Sequence, residues 1–235
     1  MNILSGYKEL EEKLGYCFKD KDLVNVALAH SSYINETKAK KSQCYERIEF
    51  LGDAVLELSV SEFLFQSFSE MPEGDMTKLR ASLVCEPTLS YIARTELDLG
   101  KYILLGKGEE NTGGRNRDSI ISDVFEAIIG AVYLDGGFEI AKDIIKRFVL
   151  TDMNNKIEFV DSKTNLQEYA QDKGLSVRYE LISENGPAHD REYVVSVYVG
   201  DEFLGEGKGR TKKSAEQHAA YAALVKAKES SLKEK

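Results

Sequence analysis

Residues 46–58, Glu-Arg-Ile-Glu-Phe-Leu-Gly-Asp-Ala-Val-Leu-Glu-Leu, constrain their own fold more tightly than any other stretch of the chain. Apolar residues at Ile48, Leu51, Val55 and Leu58 recur at three- and four-residue steps, so the spacing predicts a helix, from about Tyr45 to Phe68. Glu46, Glu49 and Asp53 fall at i, i+3 and i+7 and share one stripe of it. Like charges so placed repel by a few tenths of a kcal/mol per pair. A solvated acidic face would show the same charge pattern. Phe50 lies about 40° round the helix from Glu46, beside the acids and away from Ile48 and Val55, at roughly 100° per residue. A large apolar side chain there points to a partner surface or a second packed layer. Gly52 sits mid-helix, where glycine costs about 1 kcal/mol relative to alanine. Close approach by another backbone or a ligand would account for it.

The composition limits what such a helix can serve. A chain of 235 residues suits one large domain or two modest ones, and 30% charged residues suit a soluble protein. No run of about 18 apolar residues is present, so no membrane span is expected. The amino terminus lacks a basic stretch followed by an apolar core, so no signal peptide is expected either. Cys17, Cys44 and Cys85 have no metal-type spacing and read as reduced, buried or incidental thiols of a cytoplasmic protein. The net charge of −9 argues against nucleic acid as partner. From Asp161 onward, however, about 12 basic side chains face 13 acidic ones, so the acid excess lies before that point. An acidic first part can still meet phosphates if a divalent metal sits between them.

Helix-like spacing covers Leu10 to Phe18 and Asp22 to Ser31. His30, beside apolar residues, reads as a hydrogen-bonded packing residue before it reads as a catalyst. Asn35 to Cys44 is polar and reads as a loop. After Met71-Pro72-Glu73-Gly74-Asp75, either Asp75 or Thr77 can cap a helix through Cys85. Pro87 opens another helix, expected to end near Gly100. Leu105 to Arg117 is glycine-rich but lacks the Gly-Lys-Ser/Thr ending of a phosphate-binding loop, so no nucleotide cofactor is expected. It reads as a flexible loop in which Arg115 and Arg117 are weak candidates for contact with a phosphate backbone. Asp118 or Ser119 can cap a helix to about Leu134, with Ile120, Val124, Ile128 and Ala131 as its buried stripe. Asp123 and Glu126, at i and i+3, face one direction. A last helix, Ile140 to about Met153, closes an all-helical domain.

The character then changes. Asn154 to Lys163 reads as a linker, and Leu166 to Lys173 as a helix. Ser176 to Ser183, Arg191 to Val199 and Glu202 to Gly207 read as strands, with Tyr193, Val195, Val197 and Val199 at period two and Gly200-Asp201 as a hairpin turn. Lys212 to Lys226 reads as a closing helix. The order is helix, three strands, helix.

ERIEFLGDAVLEL, ALAHSSY, MPEGDMTKLRASLV and SIISDVFEAIIGAVYLDGG resemble the conserved blocks of the ribonuclease III family, endonucleases that cut double-stranded RNA. NLQEYAQ, the Gly186-Pro187-Ala188-His189 loop and GKGRTKKSAEQHAA resemble the double-stranded RNA-binding domain. Together the two cover nearly the whole chain, in the order found in bacterial members of the family. The resemblance implies an all-α endonuclease domain over 1–153, a linker over 154–163, a small α+β (α-β-β-β-α) RNA-binding domain over 164–228 and a charged, fraying tail over 229–235.

It also implies roles. Glu49, Asp53, Asp123 and Glu126 match the catalytic set, with Glu49, Asp123 and Glu126 as metal ligands and Asp53 positioning ligands or water. Glu46 and Glu73 match assisting acidic positions. Phe50 matches an aromatic knob that enters a second subunit, which implies a homodimer. Gln167, Glu168, Pro187 and His189 match minor-groove contacts, and Lys212 and Lys213 match phosphate contacts. The implied cofactor is Mg²⁺, for which Mn²⁺ can substitute. The implied activity is hydrolysis of duplex RNA to 5′-phosphate and 3′-hydroxyl ends, in processing of ribosomal RNA precursors and messenger transcripts.

The residues are consistent with this chemistry. Two acidic pairs on two helices with buried stripes would form a nest of oxygen ligands suited to hard cations, if those faces pack together. A pair of metal ions can activate water, neutralise phosphate and assist the leaving oxygen. Only three histidines are present, which disfavours serine or cysteine triads and zinc sites. Paired carboxylates also serve glycoside hydrolysis, which the RNA-binding resemblance disfavours. The rival reading is a non-catalytic dimeric binder of double-stranded RNA.

Overall fold

The computed structural model describes residues 3–38, 40, 43–153, 159, 161–186, 191–209 and 211–233. The chain divides into two compact units, Met1–Met153 and Asn154–Lys235. The expected contacts Pro187 and His189, and most of the expected linker, lie outside the described residues.

The first unit is helical. Helix α1 spans Ile3–Leu14, α2 Lys21–Ala27, α3 Ser31–Thr37, α4 Glu46–Ser67, α5 Glu73–Val84, α6 Glu86–Thr95, α7 Lys107–Asn111, α8 Asp118–Gly136 and α9 Phe138–Ile145. A π turn, Lys146–Leu150, continues α9. At its centre is α8, whose Ile120, Ile121, Val124, Phe125, Ile128, Ile129 and Val132 are all buried. A helix apolar nearly all round must be surrounded, and α2, α4, α6 and α9 pack against it.

The contact between α4 and α8 is made by backbone. A Cβ added to Gly52 would run into the Glu126 carbonyl, and one added to Gly130 into the Ile48 carbonyl. Each glycine therefore lets the opposite helix lie against its own chain, which accounts for Gly52 in mid-helix. The buried residues of α4 are Gly52, Val55, Leu56, Ser59, Val60 and Leu64. Leu58, expected in the buried stripe, is instead 58% exposed. Ten residues from Ile48 carry it 80° off that stripe, at 100° per residue. It shares the side opposite Gly52 with Phe50 and Phe65, which are 80% and 73% exposed.

Other expectations shift locally. Helix α1 ends at Leu14 and α3 occupies the first part of the expected Asn35 to Cys44 loop. Pro72 precedes α5 and no side chain caps it; Thr77 Oγ1 instead donates to Glu73 Oε1 at 3.0 Å. Helix α6 stops at Thr95, short of Gly100, and a 3₁₀ turn follows at Leu99–Tyr102. The Leu105 to Arg117 loop contains α7 and a 3₁₀ turn, Gly114–Asn116.

The second unit runs α10 (Ser162–Asp172), β1 (Val177–Asn185), β2 (Glu192–Val199), β3 (Glu202–Gly209) and α11 (Lys212–Lys233). The sheet is antiparallel in the order β1-β2-β3. Gly200 and Asp201 make the two-residue turn between β2 and β3. On β3, Gly205, Gly207 and Gly209 leave no gap to α11: a Cβ at Gly207 would strike the backbone at Ala215 and Ala219. Ala215, Ala219, Ala220 and Ala223 complete this seam, fully buried with Leu166, Val195 and Val197. Helix α11 continues to Lys233, past the expected start of a tail at Glu229.

Candidate active site

The α4–α8 crossing sets the acidic residues. Since the helices touch at Gly52 and next to Glu126, the side chains flanking that point face across a short gap. Glu49 and Asp53 flank Gly52 on α4; Asp123 and Glu126 stand one turn apart on α8. Their carboxyls are partly desolvated and feel one another. The Glu49 carboxyl is pushed up to about 7 by burial first and then by Asp123, Glu46 and Asp53. Glu126 is pushed up to about 8 by burial and then by Asp53, Asp123, Glu49 and Glu57. Asp53 is raised by burial and by Glu57. Asp123 is raised mainly by burial, against a hydrogen bond from Tyr45.

Desolvation and like charge both disfavour the ionised forms. No lysine or arginine among the described residues neutralises the four, whose charged neighbours are other acids and, for Asp123, His30. An arrangement this poor in counter-charge suits cation binding, with hard oxygen donors on rigid helices. Among the described residues, no three His, Cys, Asp or Glu side chains already converge on a single metal position.

The structure distributes the remaining candidates unevenly. Glu46 heads α4, exposed, and its charge reaches Glu49. Glu73, exposed at the head of α5, is not among the groups that perturb the four carboxyls. Phe50 projects into solvent beside the acids. His30 caps α3 through Nδ1, which accepts from the Ser32 N–H at 3.2 Å. Arg115 bonds Glu110 and the Gly100 and Ile103 carbonyls, and Arg117 pairs with Glu109 at 2.8 Å. These two arginines brace the loop through those partners.

Two neighbours of the site were not anticipated. Glu57 lies one turn beyond Asp53 and extends the Glu46, Glu49, Asp53 stripe, a continuation visible in the sequence. Tyr45, 4% exposed, donates from its hydroxyl to Asp123 Oδ2 at 3.3 Å. Burial and then Asp123 hold that phenol far above the usual tyrosine range, so it stays protonated.

In the second unit, Gln167 and Glu168 are exposed on α10 while Leu166 and Ala170 are buried beneath them. Lys212 and Lys213 are exposed in the first turn of α11. Thr211 Oγ1 accepts from the Ser214 N–H at 3.1 Å and so caps that helix. A helix N-terminus favours negative charge, and two ammonium groups stand beside this one.

Comparison with known proteins agrees with both halves. A family model described as Ribonuclease-III-like matches residues 20–153, and one described as Double-stranded RNA binding motif matches 162–226. The chain is 48% identical over 226 residues to "Ribonuclease 3" of Bacillus velezensis, covering 95% of this chain and 90% of that one. It is 46% identical over 231 residues to "Ribonuclease 3" of Bacillus licheniformis, covering 97% and 92%. Among solved structures, a nuclease domain of ribonuclease III from Campylobacter jejuni is similar at 51% identity and a TM-score of 0.56. That match covers 60% of this chain and 94% of the domain, whose description concerns flexibility in a region involved in dimer formation.

Proposed function

The chain belongs to the ribonuclease III family, and from that premise we propose how it works as an endoribonuclease of double-stranded RNA. The observation that carries the reading is the α4–α8 crossing, where four partly desolvated carboxyls perturb one another and no lysine or arginine among the described residues pairs with them. Glu49, Asp123 and Glu126 are the residues to hold a divalent cation, Mg²⁺ with Mn²⁺ as substitute. Such a cation supplies the positive charge that lets water be activated and the scissile phosphate be neutralised.

The chain's own groups do the rest. Glu126, from the buried middle of α8, and Asp123, one turn before it, present oxygen from one side of the gap. Glu49 presents it from the other. Asp53, next to Gly52, positions ligands and the attacking water. In-line attack on a backbone phosphate then leaves 5′-phosphate and 3′-hydroxyl ends. Gln167 and Glu168 meet the minor groove, whose 2′-hydroxyls identify RNA. Lys212 and Lys213 hold phosphate at the head of α11. Glu46 and Glu73 assist, and Phe50 anchors a second copy of the chain, giving a homodimer with one acidic centre per subunit. The substrates are structured cytoplasmic transcripts, ribosomal RNA precursors among them.

Incubation of a long RNA duplex with purified protein tests this. Short products bearing 5′-phosphate are expected with Mg²⁺ and none in excess chelator; equal cleavage in chelator, or none with Mg²⁺, would refute the metal reading.

A further inference from the structure

Tyr45 touches both helices that carry the acids. Its carbonyl accepts the Ile48 and Glu49 N–H groups, each at 2.8 Å, and so sets the first turn of α4, the turn that holds Glu49. Its phenol reaches α8, 78 residues away, and donates to Asp123 Oδ2. The residue is itself anchored. Its N–H donates to the Ala29 carbonyl at 3.0 Å, and Ala29 belongs to a bridge with Leu104. Its ring lies 5.8 Å from that of His30. His30 is fixed in turn by Ser32, whose Oγ is 2.8 Å from its Nδ1.

The kind of donor matters here. A lysine at this position would hold Asp123 but would also cancel the negative charge that attracts a cation. A neutral phenol orients one carboxylate oxygen and leaves the charge of the site intact. The 3.3 Å separation is long for O–H···O, and hydrogen bonds around catalytic groups commonly tighten only when the reacting complex forms.

We infer that Tyr45 is a positioning residue: it holds the Asp123 carboxylate toward α4, so that ligands from the two helices address one cation. This rests on the metal reading given above. The test is Tyr45→Phe, which keeps the buried ring and removes the hydroxyl. Mn²⁺ binding to the full-length protein without RNA is read by electron paramagnetic resonance. Loss of groups that orient metal ligands commonly weakens binding 10–100-fold, so about a tenfold loss of Mn²⁺ affinity is expected. Metal-free melting and metal-free duplex binding should stay close to the parent.

In an Asp123→Asn background, the same change should add no further loss. Unchanged Mn²⁺ affinity in Tyr45→Phe would overturn the inference, as would a fresh tenfold loss in the Asp123→Asn background. Asp123→Asn binding Mn²⁺ as tightly as the parent would instead overturn the metal assignment beneath it. Should Tyr45→Phe fail to fold, the parent protein supplies the test through ¹³Cζ-labelled tyrosine. One buried tyrosine resonance is expected to move with Mg²⁺ along the binding curve; no movement in any of the 12 tyrosines would overturn the inference.

Discussion

Both units use glycine to bring two backbones together, but they place charge differently around the seam. At the α4–α8 crossing, Gly52 and Gly130 remove side chains from the contact and four carboxyls crowd beside it. At the β3–α11 seam, Gly205, Gly207 and Gly209 meet an alanine face, and Glu206 and Lys208 between them are exposed. The second seam buries small apolar side chains against backbone. The first packs at the cost of desolvating like charges, an arrangement that stability alone would not favour. Burial of carboxyls that no lysine or arginine among the described residues neutralises is what directs the proposed chemistry to this seam.

The largest effect should come from adding a methyl group to each. Gly52→Ala drives a Cβ into the Glu126 carbonyl. Overpacking typically costs about 1–3 kcal/mol, and more where rigid backbone must move. We expect loss of roughly 3 kcal/mol and of cleavage, because the acids move apart. Gly207→Ala should destabilise the second unit comparably and weaken duplex binding, yet leave cleavage at saturating protein largely intact. Denaturant melts beside binding and cleavage assays check both; equal loss of saturated cleavage in the two variants would erase the distinction between the seams.

A smaller effect is expected from the exposed side of α4. Truncating an aromatic anchor at an interface often costs about 2 kcal/mol or more, so Phe50→Ala should raise the dimer dissociation constant about 30-fold. Sedimentation across a dilution series reads it, and undiminished dimerisation would show that this apolar side serves another purpose.

The smallest effect concerns Lys212 and Lys213. Replacing both by alanine removes two phosphate contacts and should lower the slope of log affinity against log salt by about 1–2. Affinity should fall similarly for unrelated duplexes. A salt titration on two sequences measures this; an unchanged slope would remove both lysines from the RNA surface.

Much of the architecture could be read from local spacing. The acid stripe and the placing of Phe50 beside it follow from a 3.6-residue period, and close approach at Gly52 follows from the cost of glycine in mid-helix. The same period misplaces Leu58, since three- and four-residue steps drift round a helix. Tyr45 was illegible because its partner lies 78 residues away. The bracing partners of Arg115 and Arg117 could not be read from the sequence, because those carboxylates and carbonyls come together only once the loop folds. The glycines of β3 gave no local signal either, since their reason is the alanine face of α11.

The central claim is that the acidic crossing performs the chemistry while the rest of the chain holds the duplex. Glu126→Gln tests it most directly, because it keeps the size of the side chain and removes its charge. Single-turnover cleavage and equilibrium binding are measured on the same RNA duplex with excess Mg²⁺. Loss of one preorganised electrostatic group typically costs on the order of 10²–10³ in rate. Cleavage should fall at least that far, with binding within about twofold of the parent. Near-normal cleavage by Glu126→Gln would contradict the account.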